Sequence, residues 1–181
     1  NQFGLYRNPF TSDEAVQGGN ATVSNTAPMG HAGKLFTLKE DALPIEIDPL
    51  TLETRGFHDF NGGWQSQTFT AHPKWDPLTG DLHAFGSEPT GHASNDIFYY
   101  RVDPQGNVAH EIRIKQQPYV CLIHDFAVTQ EHIIFPFACY RTDMAQLRAG
   151  KIHWMWDRTL PSMVGIMRRD GDGSDLRWFR G

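Results

Sequence analysis

The sequence predicts an all-β fold, about three blades of a β-propeller. Three observations predict it. Short apolar β-runs alternate with turn residues along almost the whole chain. The turns recur at a near-constant spacing. Only one stretch, Asp143 to Lys151, reads as helical.

The strand candidates are Leu35–Leu38, Ile45–Ile47, Leu82–Phe85, Ile97–Val102, Ile112–Ile114 and Ile133–Phe137. They are short and rich in β-branched and aromatic residues, as strands are. Between them stand Asp48-Pro49, Asp76-Pro77-Leu78-Thr79-Gly80, Asp103-Pro104-Gln105-Gly106 and Asp170-Gly171-Asp172-Gly173. Asp accepts from turn amides, Pro presets φ and Gly supplies positive φ. Ile45-Glu46-Ile47-Asp48-Pro49 is matched by Tyr100-Arg101-Val102-Asp103-Pro104, 55 residues on. Ile166-Met167-Arg168-Arg169-Asp170-Gly171 is a later copy after an insertion. A repeat of about 50 residues is the size of a four-stranded blade. The alternative is a β-sandwich with common Asp-Pro turns.

The chain has 181 residues, 39% hydrophobic and 20% charged, which suits one globular domain over 1–181. A net charge of -5 without a basic run argues against nucleic acid as a partner. No run approaches the ~18 apolar residues of a membrane span. Two cysteines, Cys121 and Cys139, are too few for a disulfide framework. Buried free thiols and a cytoplasmic location are the expectation. The chain opens Asn1-Gln2-Phe3, with no initiator Met or signal-like segment, and closes at Gly181 in a strand-and-turn pattern. A propeller has roughly four to eight blades. The chain is therefore expected to be part of a longer protein, and its oligomeric state is open.

Nine histidines are present, and two stand out by register. His72 in Phe69-Thr70-Ala71-His72-Pro73 and His124 in Leu122-Ile123-His124-Asp125-Phe126 are 52 residues apart, close to one repeat. They are expected at equivalent places on the inner strands of adjacent blades, facing one axis. Two imidazoles there suit iron, copper, nickel or zinc. Glu40, 32 residues before His72, is a candidate acceptor for a ligating imidazole's other N–H. A solvated Lys-Glu-Asp edge is the plainer reading of Lys39-Glu40-Asp41.

These residues resemble the carotenoid cleavage oxygenase superfamily, and within it the lignostilbene (stilbene) dioxygenases. The resemblance rests on Phe3-Gly4-Leu5-Tyr6-Arg7-Asn8-Pro9-Phe10-Thr11, His31-Ala32-Gly33-Lys34-Leu35, Leu38-Lys39-Glu40-Asp41, Ile47-Asp48-Pro49, Leu52-Glu53-Thr54, Phe69 to Lys74 and Ile123 to Phe126. It runs from Phe3 to Phe137 and is looser beyond. It implies a seven-bladed propeller with one iron(II) per full-length chain, held on the axis by four histidines, and dioxygen as co-substrate. By the same resemblance His72 and His124 are two metal ligands and Glu40 an outer glutamate orienting an imidazole. The remaining two histidines have no match here, and His153 is not assigned to that role. The chain alone is therefore expected to be inactive. Lys39 and Tyr6 resemble a clamp on a substrate 4-hydroxyl, which implies a small phenolic stilbene cleaved to two aromatic aldehydes. An apocarotenoid-cleaving oxygenase and a non-catalytic binding propeller are the competing expectations.

Overall fold

A computed structural model describes residues 22–115 and 117–181. Three four-stranded antiparallel sheets follow one another along the chain. The first holds β1 (Ala27–His31), β2 (Lys34–Leu38), β3 (Ile45–Ile47) and β4 (Thr54–Phe57). The second holds β5 (Lys74–Trp75), β6 (Leu82–Ser87), β7 (Asp96–Val102) and β8 (Val108–Lys115). The third holds β9 (Ala127–Val128), β10 (His132–Phe137), β13 (Met163–Arg168) and β14 (Arg177–Arg180). In each sheet chain order equals spatial order, the meander of a propeller blade. An insertion between β10 and β13 carries β11 (Tyr140–Arg141), α1 (Met144–Arg148) and β12 (Met155–Trp156). The helix is shorter than Asp143 to Lys151. Asp143 caps its start by accepting from the Gln146 N–H at 2.7 Å, and Gly150 at φ 71° lies just past its end.

Local chemistry explains the recurring turns. Asp48 Oδ1 accepts from the Leu50 and Thr51 amides at 2.8 and 3.0 Å. Asp103 Oδ1 accepts from the Gln105 and Asn107 amides at 3.0 and 2.8 Å. Each carboxylate satisfies turn donors between the third and fourth strands of its sheet. In the third sheet the same turn uses Asp172, which accepts from the Ser174 amide at 2.9 Å. The β1–β2 hairpin turns on Ala32 and Gly33, with φ of 50° and 74°. Positive φ at both central residues matches the twist of a tight hairpin.

Packing sets the sheets against one another. Residues Leu82, Ala84, Phe98, Tyr100 and Val102 join Met29, Phe36, Leu38, Trp64 and Phe69 in a core between the first two sheets. Phe85, Ile97 and Tyr99 join Ile123, Phe126, Ile133 and Phe135 in a core between the second and third. Alternate residues of β6 and β7 thus feed two cores, which is why β6 is buried throughout. Polar contacts add to this. His31 Nε2 meets the Asp103 carbonyl at 2.8 Å, and Arg169 donates to Asp76 at 2.8 Å. Cys121 and Cys139 are free and buried, and burial pushes the Cys121 thiol up to about 12. Among the described residues, no helix is long and apolar enough to cross a membrane.

Two outcomes follow from this packing. A Cβ on Gly86 would stand 2.0 Å from Ser66 Oγ and 2.6 Å from the Thr68 carbonyl oxygen. The serine can rotate; the backbone oxygen cannot. Gly86→Ala is expected to cost about 1–3 kcal/mol, read as a lower urea midpoint; an unchanged midpoint contradicts this packing.

His83 is fully buried and its Nδ1 lies 2.6 Å from the Tyr99 hydroxyl. Burial, then the charge of Arg169, lowers its pKa to about 4. The unfolded chain takes up this proton near pH ~6.5, the folded chain only near its lowered value. Its stability contribution is complete above the unfolded pKa and falls as pH drops from there to the folded pKa, by on the order of 3 kcal/mol. Melting between pH 7 and 4 is expected to show a shallower loss in His83→Gln than in the parent. Parallel profiles would remove His83 from the acid response.

Candidate metal centre

Glu40, His72 and His124 converge, with one ligand atom of each within 4.8 Å of the others. His72 stands just ahead of β5 and His124 just ahead of β9. The repeat register places them within inner strands; the structure puts both at equivalent positions on the entry to the first strand of their blades instead. The reason is anchoring. Ala71 and Pro73 are buried on either side of His72, and Ile123 and Phe126 hold the His124 segment. Pro73 also restrains the His72 backbone, and the Thr70 hydroxyl accepts the His72 N–H at 3.1 Å. The imidazoles are left projecting from pinned backbone.

The rings meet edge-on, with centroids 4.5 Å apart and planes at 78°. Their Nε2 atoms are 3.1 Å apart. Glu40 is buried at 8% exposure, and its Oε1 lies 2.5 Å from His124 Nδ1. The sequence order left open which imidazole Glu40 serves; it is His124, 84 residues away. With Nδ1–H donated to Glu40, neutral His124 presents the lone pair of Nε2 toward His72. Two imidazole nitrogens at cis positions around a metal, with bonds of roughly 2.1 Å, stand about 3 Å apart. The observed separation fits a shared cation, and the all-nitrogen donor set with a carboxylate behind it suits iron or another first-row ion.

A further tie lies beside the histidines. Lys74 Nζ meets Asp125 Oδ1 at 2.6 Å and joins the two segments. Burial acts to raise the Asp125 pKa, but the hydrogen bonds from Lys74 and the Phe126 amide outweigh it and lower it. Both residues stand in the motifs around the histidines, yet nothing in a one-dimensional reading pairs them. A cavity of about 800 Å³ opens next to them, lined by Lys74, Trp75, Leu78, Phe126, Val128 and Arg169, with neither imidazole in its wall.

Lys39 follows β2, is 5% exposed and bonds Asp41 Oδ2 at 2.8 Å. It is therefore not part of a solvated edge. Tyr6, the other half of the expected phenol clamp, lies outside the described residues.

Comparison with known proteins places this geometry. The chain is 48% identical over 178 residues to isoeugenol monooxygenase of Pseudomonas nitroreducens, covering 98% of this chain and 37% of that protein. It is 43% identical over 181 residues to lignostilbene-alpha,beta-dioxygenase isozyme III of Sphingomonas paucimobilis, covering 98% of this chain and 36% of that one. The crystal structure of Pseudomonas brassicacearum lignostilbene dioxygenase superposes with a TM-score of 0.92 at 43% identity, over 98% of this chain and 37% of that chain. The chain thus spans little more than a third of the relatives it matches, and its three sheets are part of a propeller. The model of the family described as retinal pigment epithelial membrane protein matches residues 1–181, so the chain belongs to that family, the carotenoid cleavage oxygenases.

Proposed function

We propose that the whole protein is a non-haem iron(II) dioxygenase that cleaves the central double bond of 4-hydroxystilbenes to two aromatic aldehydes. The observation that carries this reading is the Glu40–His124–His72 arrangement, in a chain 41–48% identical to isoeugenol, lignostilbene and resveratrol oxygenases. Bound at these imidazoles, iron(II) supplies the redox chemistry that activates dioxygen. Each carbon of the alkene takes one oxygen atom, so one stilbene and one dioxygen give two aldehydes.

The chain's own residues prepare the site and the substrate. His72 and His124 contribute neutral nitrogen, which leaves the metal charge undiminished. Glu40 holds the His124 tautomer and ring orientation. By resemblance Lys39, whose buried ammonium bonds Asp41, is the cation that meets the substrate phenol, with Tyr6 as its partner. A cation beside a phenol favours phenolate. The phenolate sends electron density through the conjugated system to the alkene, which becomes a better partner for activated oxygen.

A second reading has its own support, the 48% identity to isoeugenol monooxygenase. Isoeugenol carries the same phenol conjugated to a shorter alkene, so the Lys39 clamp serves either substrate.

The full-length protein is to be offered 4-hydroxystilbene, its 4-methoxy ether, isoeugenol and an apocarotenal, with aldehydes measured by chromatography. Turnover of the two phenols, and at least a roughly 100-fold loss on methylation, is expected. Preferred turnover of the apocarotenal, or no loss on methylation, overturns the phenol reading; no turnover and no iron affinity point to a binding propeller. Lys39→Met is expected to lower kcat/KM for the phenol by about 10²–10³-fold with iron content retained.

Glu40→Gln keeps the shape and removes the anionic acceptor. Iron affinity, read anaerobically by chelator competition, is expected to fall about 10–100-fold. Unchanged affinity would show that Glu40 does not tune the ligand.

A further inference from the structure

A second group of metal-binding side chains converges among the described residues, away from the residues used above. It consists of Glu88, His92 and His153, with one ligand atom of each within 4.8 Å of the others. Glu88 and His92 come from the loop between β6 and β7 of the second sheet, and His153 from the insertion of the third. Glu88 is 6% exposed and His153 is 3% exposed, whereas His92 reaches solvent. His153 Nε2 stands 3.0 and 2.9 Å from the two Glu88 oxygens. The His92 ring meets His153 edge-on at 5.5 Å and 67°.

The donor set is the first argument. Two imidazoles and one carboxylate form a common zinc set, which leaves a fourth position for water. Bonds of roughly 2.0–2.1 Å in a tetrahedral sphere put neighbouring donors about 3.3 Å apart. The Glu88 and His153 atoms are nearly at that spacing, and exposed His92 can close by side-chain rotation. Energetics give the second argument. A buried carboxylate–imidazole pair bears a desolvation cost of several kcal/mol. A divalent ion bound to both offsets it.

The backbone gives the third. Glu88 and Ala93 have φ of 51° and 57°, uncommon for residues with a side chain. The Ala93 N–H donates to the Glu88 carboxylate, so the loop is wound around that group. On the other side, Gln146 Nε2 donates to the Ile152 and His153 carbonyls, both at 2.8 Å, and holds the His153 backbone in place. Strained backbone that presents a buried carboxylate to two imidazoles is the construction of a ligand site.

We propose that Glu88, His92 and His153 bind a divalent ion of the zinc class, distinct from the Glu40–His72–His124 centre, and that this ion clamps the insertion of the third blade to the second. Zinc suits the place because it has no geometric preference from d-electrons and tolerates an exposed fourth position. The clamp joins two parts of the fold and keeps the fourth, water position of a three-ligand zinc site.

The test uses the full-length protein with His72→Ala and His124→Ala, so that the other centre is out of play. Zn²⁺ binding is read by chelator competition, and Co²⁺ by its visible absorption. One equivalent of zinc is expected in this background, with a rise in melting temperature. Adding His92→Ala is expected to weaken zinc by more than the roughly 10–100-fold that loss of an outer partner costs, and to abolish the thermal shift. His92 is exposed, so this variant keeps its fold, checked by circular dichroism and by an unchanged melting temperature in chelator. Absence of a zinc equivalent in the background, or undiminished binding after His92→Ala, overturns the proposal.

Discussion

Consecutive residues of β6 and β7 point into different cores, and the position of each described site residue follows from that. Leu82, Ala84, Phe98 and Tyr100 pack toward the first sheet, while Phe85, Ile97 and Tyr99 pack toward the third. A strand committed on both faces has one register, because a slip of one residue would exchange the two sets. The middle sheet is thereby fixed against each neighbour. His72 enters this sheet and His124 enters the next, each between buried anchors. Apolar packing on either side fixes the two backbones, and the Nε2 atoms they bring together stand 3.1 Å apart, within hydrogen-bond distance of each other.

Glu40 then decides what the converged nitrogens can do. It reaches His124 from the turn after β2, so segments adjoining all three sheets contribute one residue each to the group. A carboxylate so buried requires donors, and the His124 Nδ1–H supplies one. That same bond turns the lone pair of Nε2 toward His72. The hydrogen bond and the packing therefore act on different degrees of freedom. Packing sets where the rings are; Glu40 sets which nitrogen is open. The Lys74–Asp125 pair is exposed enough to add little energy, and its effect is to tie the two entry segments together.

Much of this was legible in the sequence, for local reasons. The Asp-led turns show themselves because one side chain does the turn's hydrogen bonding, as at Asp48 and Asp103. β7 reads as a strand because its apolar run serves two cores. By contrast β5 and β9 are two residues each, too short to leave a period. β1 contains Pro28 and Gly30, and its strand character comes from pairing with β2. At the candidate metal centre the 52-residue spacing of His72 and His124 carries the repeat, and the structure brings them together. The Glu40–His124 pairing spans 84 residues and has no such register. Glu88, His92 and His153 were invisible for the same reason: a loop and an insertion contribute them, and neither follows the repeat.

Lys39 and Glu40 are consecutive, and this constrains how each is to be understood. Leu38 and Ala42, both 1% exposed, pin the segment at its two ends. Cα atoms of neighbouring residues are about 3.8 Å apart. On the proposed chemistry, the group that orients a metal ligand and the group that ionises the substrate thus share one short, anchored stretch. A displacement of that stretch moves both. Loss of activity on changing Lys39 therefore has two physical origins, a lost ammonium or a shifted Glu40. Metal content separates them. Activity lost with iron retained belongs to the phenol, because Glu40 still holds His124. Activity lost together with iron belongs to the segment, and says nothing about the substrate.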